Sequence, residues 1–254
     1  MSETNRVGAE STDEATDEAT ERIIAAVEGD LPLPPHSVPR PTLDREQREI
    51  KDTLLRASSL VEVAIGNAVE ALETHDAAAA QAVVDGDVAV NAMTAAAVEE
   101  VISTIATQSP VARDLRFLLT LYDVAIELER IGDYVANVAK RVRDLAPEPS
   151  LPASAGVAQM GRIAEEILGS VMRALVDADV DEARRTAARD DEMDVLYHRT
   201  IDETLALAKQ DPANVERSAR LQFAAHYMER IGDRVTNIAE NVIFLATAQR
   251  EDLN

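Results

Sequence analysis

The sequence predicts an all-α protein made of two tandem, pseudo-symmetric three-helix bundles running up-down-up. Three observations lead there. Apolar residues recur at three- and four-residue steps through most of residues 43–248, the period of helices with one buried face. Gly and Pro number only 9 and 10 in 254 residues, and Pro gathers at 32–41 and 147–152, leaving long unbroken stretches between. The pentapeptide Glu-Arg-Ile-Gly-Asp occurs at 129–133 and again at 229–233, so a structural unit is duplicated. Nothing reads as a strand.

Taken in order, residues 1–40 are rich in Glu, Asp, Thr, Ser and Pro and read as a mostly disordered acidic tail. One short helix over 16–28, around Ile23-Ile24-Ala25-Ala26-Val27, is an equal alternative there. The first repeat spans 41–146. Leu54, Leu55, Val61, Ile65, Val69 and Leu72 mark its first helix, which breaks at Thr74-His75-Asp76. Val83, Val90, Met93, Val101 and Ile105 mark its second. Ser109-Pro110 opens its third, which ends near Leu145. A Pro-rich linker follows, and the second repeat spans 153–248. Its helices are expected at about 153–177 and 180–209, and from Asp211-Pro212 to about 248.

Composition narrows the chemistry. Hydrophobic residues make up 46% but aromatics only 3%, with no Trp, so Ala, Val, Leu and Ile must fill narrow helix–helix seams. The absence of Cys removes disulfides and thiolate metal sites; a metal here would need oxygen or imidazole ligands. No secretory signal and no apolar run of membrane-spanning length stand out, and a cytoplasmic protein is the expectation. With 47 acidic against 25 basic residues the net charge is −22, which repels nucleic acid. Only Lys51, Lys140 and Lys209 are lysines. An acidic, lysine-poor chain suits the molar-salt cytoplasm of a halophilic archaeon, where self-repulsion is screened.

In the duplicated segment, helical geometry separates two faces. Leu128, Ile131, Val135, Val138 and Val142 form one apolar seam, and Met228, Ile231, Val235, Ile238 and Val242 form its counterpart. Glu129, Asp133 and Asn137 stack at i, i+4 and i+8, as do Glu229, Asp233 and Asn237. By angle each row lies nearly opposite its seam, facing outward. Two carboxylates one turn apart repel, and a cation between them reverses that. Pairing with Arg130, Arg230 or Arg234 on a solvated face is the competing structural account. Asp87 with Asn91, and Asp190 with Asp194, precede the motifs by about 40 residues, so an antiparallel hairpin would bring them alongside. Asp85 and Asp191 are alternatives, and His226, one turn before Glu229, has Ile126 as its counterpart. Gly132 and Gly232 each sacrifice about 1 kcal/mol of helix propensity, which close approach of a helix or a ligand would justify.

The duplicated Glu-Arg-Ile-Gly-Asp segments on the last helix of each unit resemble the PhoU family of phosphate-transport regulators. Arg40-Pro41-Thr42-Leu43-Asp44-Arg45-Glu46 and Ser109-Pro110-Val111-Ala112-Arg113-Asp114-Leu115-Arg116 are similar to further elements of that family. The resemblance covers about 41–248. It implies a non-enzymatic regulator, often dimeric, that contacts the ATPase subunit of a phosphate ABC transporter and restrains uptake when phosphate is plentiful. A sensor kinase is the family's other usual partner, and the membrane is reached only through a partner. The resemblance further implies surface iron or zinc clusters, with magnesium or manganese as alternative ions, on Glu129, Asp133, Glu229 and Asp233, with Asp87, Asn91, Asp190 and Asp194 as further candidates. Arg234 departs from the family pattern, where His is frequent, and Ser218-Ala219-Arg220 stands in place of the first repeat's Asp-Leu-Arg. Two rival readings are a metal-free helical adaptor and a di-iron carboxylate oxidase; the latter needs inward Glu-x-x-His pairs, which this sequence lacks.

Overall fold

The computed structural model describes residues 40–253, and expectations for the acidic tail lie outside them. Helix α1 (Pro41–Thr74) starts with Pro in its first turn and buries Leu43, Ile50, Leu54, Val61 and Ile65 along one stripe. It stops at His75, whose left-handed backbone returns an N–H to the Ala71 carbonyl. Asp76 then caps α2 (Ala77–Gln108), its carboxylate accepting from the Ala78 and Ala79 amides at 2.8 and 2.9 Å. Such a cap stabilises a helix by about 1 kcal/mol. Helix α3 (Ala112–Leu145) begins two residues after Pro110. The Pro-rich linker leads to α4 (Ser154–Asp177).

The second repeat departs from its expected plan at one place. In place of one helix over 180–209 there are two: α5 (Val180–Ala187) and α6 (Asp190–Gln210). Around Ala188 and Arg189 the amides of Arg189 and Glu192 bond three residues back, to Thr186 and Arg189, rather than four. No Pro or Gly marks the break. Asp211-Pro212 opens a short 3₁₀ turn (Pro212–Asn214), and α7 (Val215–Thr247) follows.

The two bundles do not stand apart. One core runs through both, from Leu54 and Ile65 on α1 through Leu121 and Leu128 on α3 to Ile167 on α4 and Ile231 on α7. Helices α1, α3, α4 and α7 pack on one another across the repeat boundary, with α3 against α7 the most extensive pairing. The partners Glu127–Arg234, Tyr134–Tyr227 and Arg116–Leu245 show that α3 and α7 run antiparallel. Gly161 on α4 permits a close crossing: a Cβ there would sit 2.3 Å from Val69 of α1.

Helix α2 amends another expectation. It is long and apolar enough, by length and composition alone, to cross a membrane, although only 28% of its most apolar stretch is buried. It packs against α1 and α3 and leaves Val88 and Ile102 exposed at 71% and 55%.

Candidate cation-binding faces

Each acidic row has a carboxylate of the preceding helix beside it, and the second row also forms one wall of a groove. In the first repeat Asp87 of α2 stands over Gly132 of α3, its Oδ1 3.3 Å from where a Cβ would lie. In the second, Asp190 of α6 stands over Gly232 of α7 so closely that a Cβ would meet its Oδ1 at 2.2 Å. Gly232 leaves room for a carboxylate beside the acidic row, and Gly132 for Val90, 3.0 Å from the added Cβ, as well as for Asp87. The hairpins therefore place Asp87 and Asp190 alongside the acidic rows.

The outward orientation of the rows needs correction. Helix α3 packs against α1, α2 and α7, so no side of it faces solvent fully. Glu129 and Asn137 are half-buried, with Asp133 the exposed member. In α7, Glu229 and Asp233 retain only 21% and 24% exposure. Partial burial matters because desolvation raises the cost of each negative charge.

The electrostatics follow from that crowding. Burial and then Asp133 push the Asp87 carboxyl above its ordinary range, while the Asn91 hydrogen bond (2.9 Å) and Lys140 oppose the shift. Burial, with Asp133 and Asp87, also raises Glu129 against the pull of Arg130. Glu229 is raised by burial, Asp233 and Asp194, with His226 and Arg230 opposing. Asp190 is pushed furthest, to about 7, by burial first and then by Asp233, Asp194, Glu229 and Asp191.

The competing account, carboxylates satisfied by arginine, holds at one position. Arg230 pairs with Asp233 at 2.5 Å, but Arg234 turns away to Glu127 of α3 at 3.4 Å. His226 approaches Glu229 at 3.6 Å, and Lys140 donates to Asn137 at 3.1 Å. Four buried oxygens beside the two rows, Asp87 Oδ1, Asn91 Oδ1, Asp190 Oδ1 and Glu229 Oε2, have no hydrogen-bond partner. Buried oxygens of this kind are costly unless a donor or a cation meets them. Among the described residues no three Asp, Glu or His side chains already converge on one point. The remaining alternatives are peripheral: Asp85 is exposed and accepts from Gln81, and Asp191 is exposed on the rim.

The two faces differ. The second opens into a basin of about 740 Å³ lined by Asp190, Asp191, Asp194, Glu229 and Asp233, with Arg230 and Arg234. The first, where Asn91 holds the place of Asp194, adjoins an apolar groove of about 420 Å³ containing Leu60, Val63 and Val90. Divergence also marks the seam between α3 and α7. Positions 127 and 234 form an ion pair, while their repeat equivalents, 227 and 134, are stacked tyrosines with centroids 6.1 Å apart. No local pattern announces that cross-repeat pairing, because its partners stand in different repeats, 107 residues apart for Glu127 and Arg234.

Two tandem helical units, each with an acidic row on its last long helix, define the class: an all-α protein built on a duplicated bundle. The particular family is shown by comparison: the PhoU domain model matches residues 54–142 and 157–242, and the chain belongs to the PhoU family. A phosphate-specific transport system accessory protein PhoU homolog of Clostridium acetobutylicum is 33% identical over 216 residues, spanning 85% of this chain and 99% of the relative. The crystal structure of PhoU from Pseudomonas aeruginosa superposes with a TM-score of 0.78 at 31% identity, covering 81% of this chain and 99% of the other. The phosphate transport system regulatory protein PhoU of Streptococcus pneumoniae gives 0.77 at 25% identity, covering 83% and 99%.

Proposed function

We propose that this protein is a non-catalytic regulator of phosphate uptake. It restrains a phosphate-specific ABC transporter when phosphate is plentiful, through contact with the ATPase subunit at the cytoplasmic side. Its two acidic faces bind cations. Family membership supports the transport role, and the observation that carries the cation reading is the set of four buried oxygens beside the two rows that no hydrogen-bond donor meets, of which Glu229 Oε2 has only His226 at 3.6 Å.

Glu129, Asp133, Asp87 and Asn91 would hold the first ion or cluster, and Glu229, Asp233, Asp190 and Asp194 the second. The donor set is oxygen, with His226 the imidazole nearest Glu229. Such ligands suit magnesium and manganese as well as carboxylate-bridged iron, and suit zinc less well. Bound cations would neutralise the repulsion that now raises Asp87, Glu129, Asp190 and Glu229, and would leave a charge-compensated surface for a partner.

The test is elemental analysis of protein purified without chelator, paired with pull-down of the ATPase subunit. Glu129→Ala with Asp133→Ala should remove the metal of the first face, Glu229→Ala with Asp233→Ala that of the second, and the fourfold variant all of it. Undiminished metal in the fourfold variant sinks the cation reading. Failure of the native protein to retain the ATPase subunit sinks the transport reading, whatever the metal content.

A homodimer is part of this proposal, supported by the exposed apolar side of α2. Two copies each carrying −22 charges repel except where carboxylates are sparse, and α2 contains only Asp85, Asp87, Glu99 and Glu100 among its 32 residues. Val88→Glu with Ile102→Glu should convert the dimer to monomer in light scattering with helicity unchanged. A mass unaltered by the substitutions would remove α2 from the interface.

A further inference from the structure

We propose that residues 249–253 form a strap that gates access to the second acidic basin. Helix α7 ends at Ala248, whose left-handed backbone (φ 63°) reverses the chain. From there the segment runs back along α7 instead of continuing away. Arg250 lays its guanidinium over the Phe244 ring, 5.0 Å from the centroid. Glu251 accepts from Nε and Nη2 of Arg184 on α5, at 3.1 and 2.7 Å. The Leu253 amide donates to Glu240 Oε1 at 2.9 Å, about two turns before the helix end.

The result is a tie between α5 and α7, the helices that flank Asp190. Leu253 lines the basin together with Asp190, Asp194, Glu229 and Asp233. Residues 250–252 form the outer wall of an adjoining cavity of about 420 Å³. Asn237, the last member of the second acidic row, lines both spaces and so lies beneath the strap.

The attachments are weak enough to open. The Arg184–Glu251 pair is exposed, and such pairs are screened by salt. Beyond it the strap is also held by the Leu253 amide on the Glu240 carboxylate, the Arg250–Phe244 cation–π contact, the attraction of Arg250 for Asp123 of α3 and the Gln249 amide on Thr247 Oγ1. The first face has no equivalent: the position matching Ala248 is Glu148, which leads through the linker into α4. The strap therefore makes the two faces unequal in access as well as in charge.

The absence of cysteine permits a direct test that needs no metal. Asn237→Cys and, as control, Asn137→Cys are each placed in the full chain and in one ending at Ala248, and reaction with a small thiol reagent is timed. A strap closed in about nine molecules of ten predicts that truncation accelerates labelling at 237 about tenfold and leaves 137 unchanged. In the full chain Arg184→Glu should accelerate labelling at 237, and adding Glu251→Arg should restore the slow rate. Equal rates at 237 in the two lengths, or equal acceleration at 237 and 137, overturn the gate. So does a failure of the reversed pair to restore closure.

Discussion

Asp190→Asn is expected to stabilise the metal-free protein at pH 8 by about 2 kcal/mol, or roughly 4–8 °C in melting temperature. The native carboxylate lies at the start of α6, where the helix dipole favours an anion by about 0.3–1 kcal/mol. Burial and four neighbouring carboxylates outweigh that preference and push its pKa to about 7. The sign is that of a raised acid. The folded state binds a proton more readily than the unfolded chain, so the neutral form is favoured below the ordinary carboxylate range. That advantage is lost as pH rises through about 7. Asp87, Glu129 and Glu229 are shifted in the same direction, so the metal-free protein should melt at a higher temperature at pH 5.5 than at pH 8. Asn keeps the size of Asp190 while removing its charge, so much of this pH dependence should disappear. The same substitution should reverse its effect when manganese is added, since the native protein gains a ligand that Asn supplies poorly. A native protein whose stability rises from pH 5.5 to pH 8 without metal would contradict this electrostatic account.

How far the sequence reveals the structure depends on the range of the interaction. Helix periods and the break at Thr74-His75-Asp76 are local and were legible. The acidic rows were legible too, because i, i+4 spacing puts residues on one face whatever the surroundings. Their environment was not, since the angular argument treated α3 as a helix with one buried side. Ala125, Gly132, Ala136 and Ala139 are buried as well, and small residues give a weak signal of a second packed face. The break at Ala188-Arg189 had no Gly or Pro to announce it. The strap depends on Arg184 meeting Glu251, 67 residues away, which no local pattern encodes.

Glycine substitutions separate positions that propensity alone treats alike. Gly161→Ala gains about 1 kcal/mol of helix propensity, yet its new methyl would lie 2.3 Å from Val69 Cγ2 and 3.1 Å from Met228 Cε. Favourable carbon contacts lie near 3.5–4.0 Å, so α4 must move away from α1 or both side chains must leave their rotamers. Overpacking of this kind costs about 1–3 kcal/mol, and the net effect is destabilising. Gly86→Ala meets nothing within 4 Å on the exposed side of α2, so it should stabilise by about 0.5–1 kcal/mol. Gly232→Ala falls between them in mechanism: its methyl displaces only the end of Asp190, so its principal effect should be on cation binding. Urea melts, which avoid the ionic screening that guanidinium would bring to a chain of net charge −22, should order the three variants accordingly. Because α1 belongs to the first repeat and α4 to the second, the Gly161 variant should lower one cooperative transition for the whole molecule. Two separated transitions would show instead that the bundles unfold independently, and that the core running through both contributes little coupling between them.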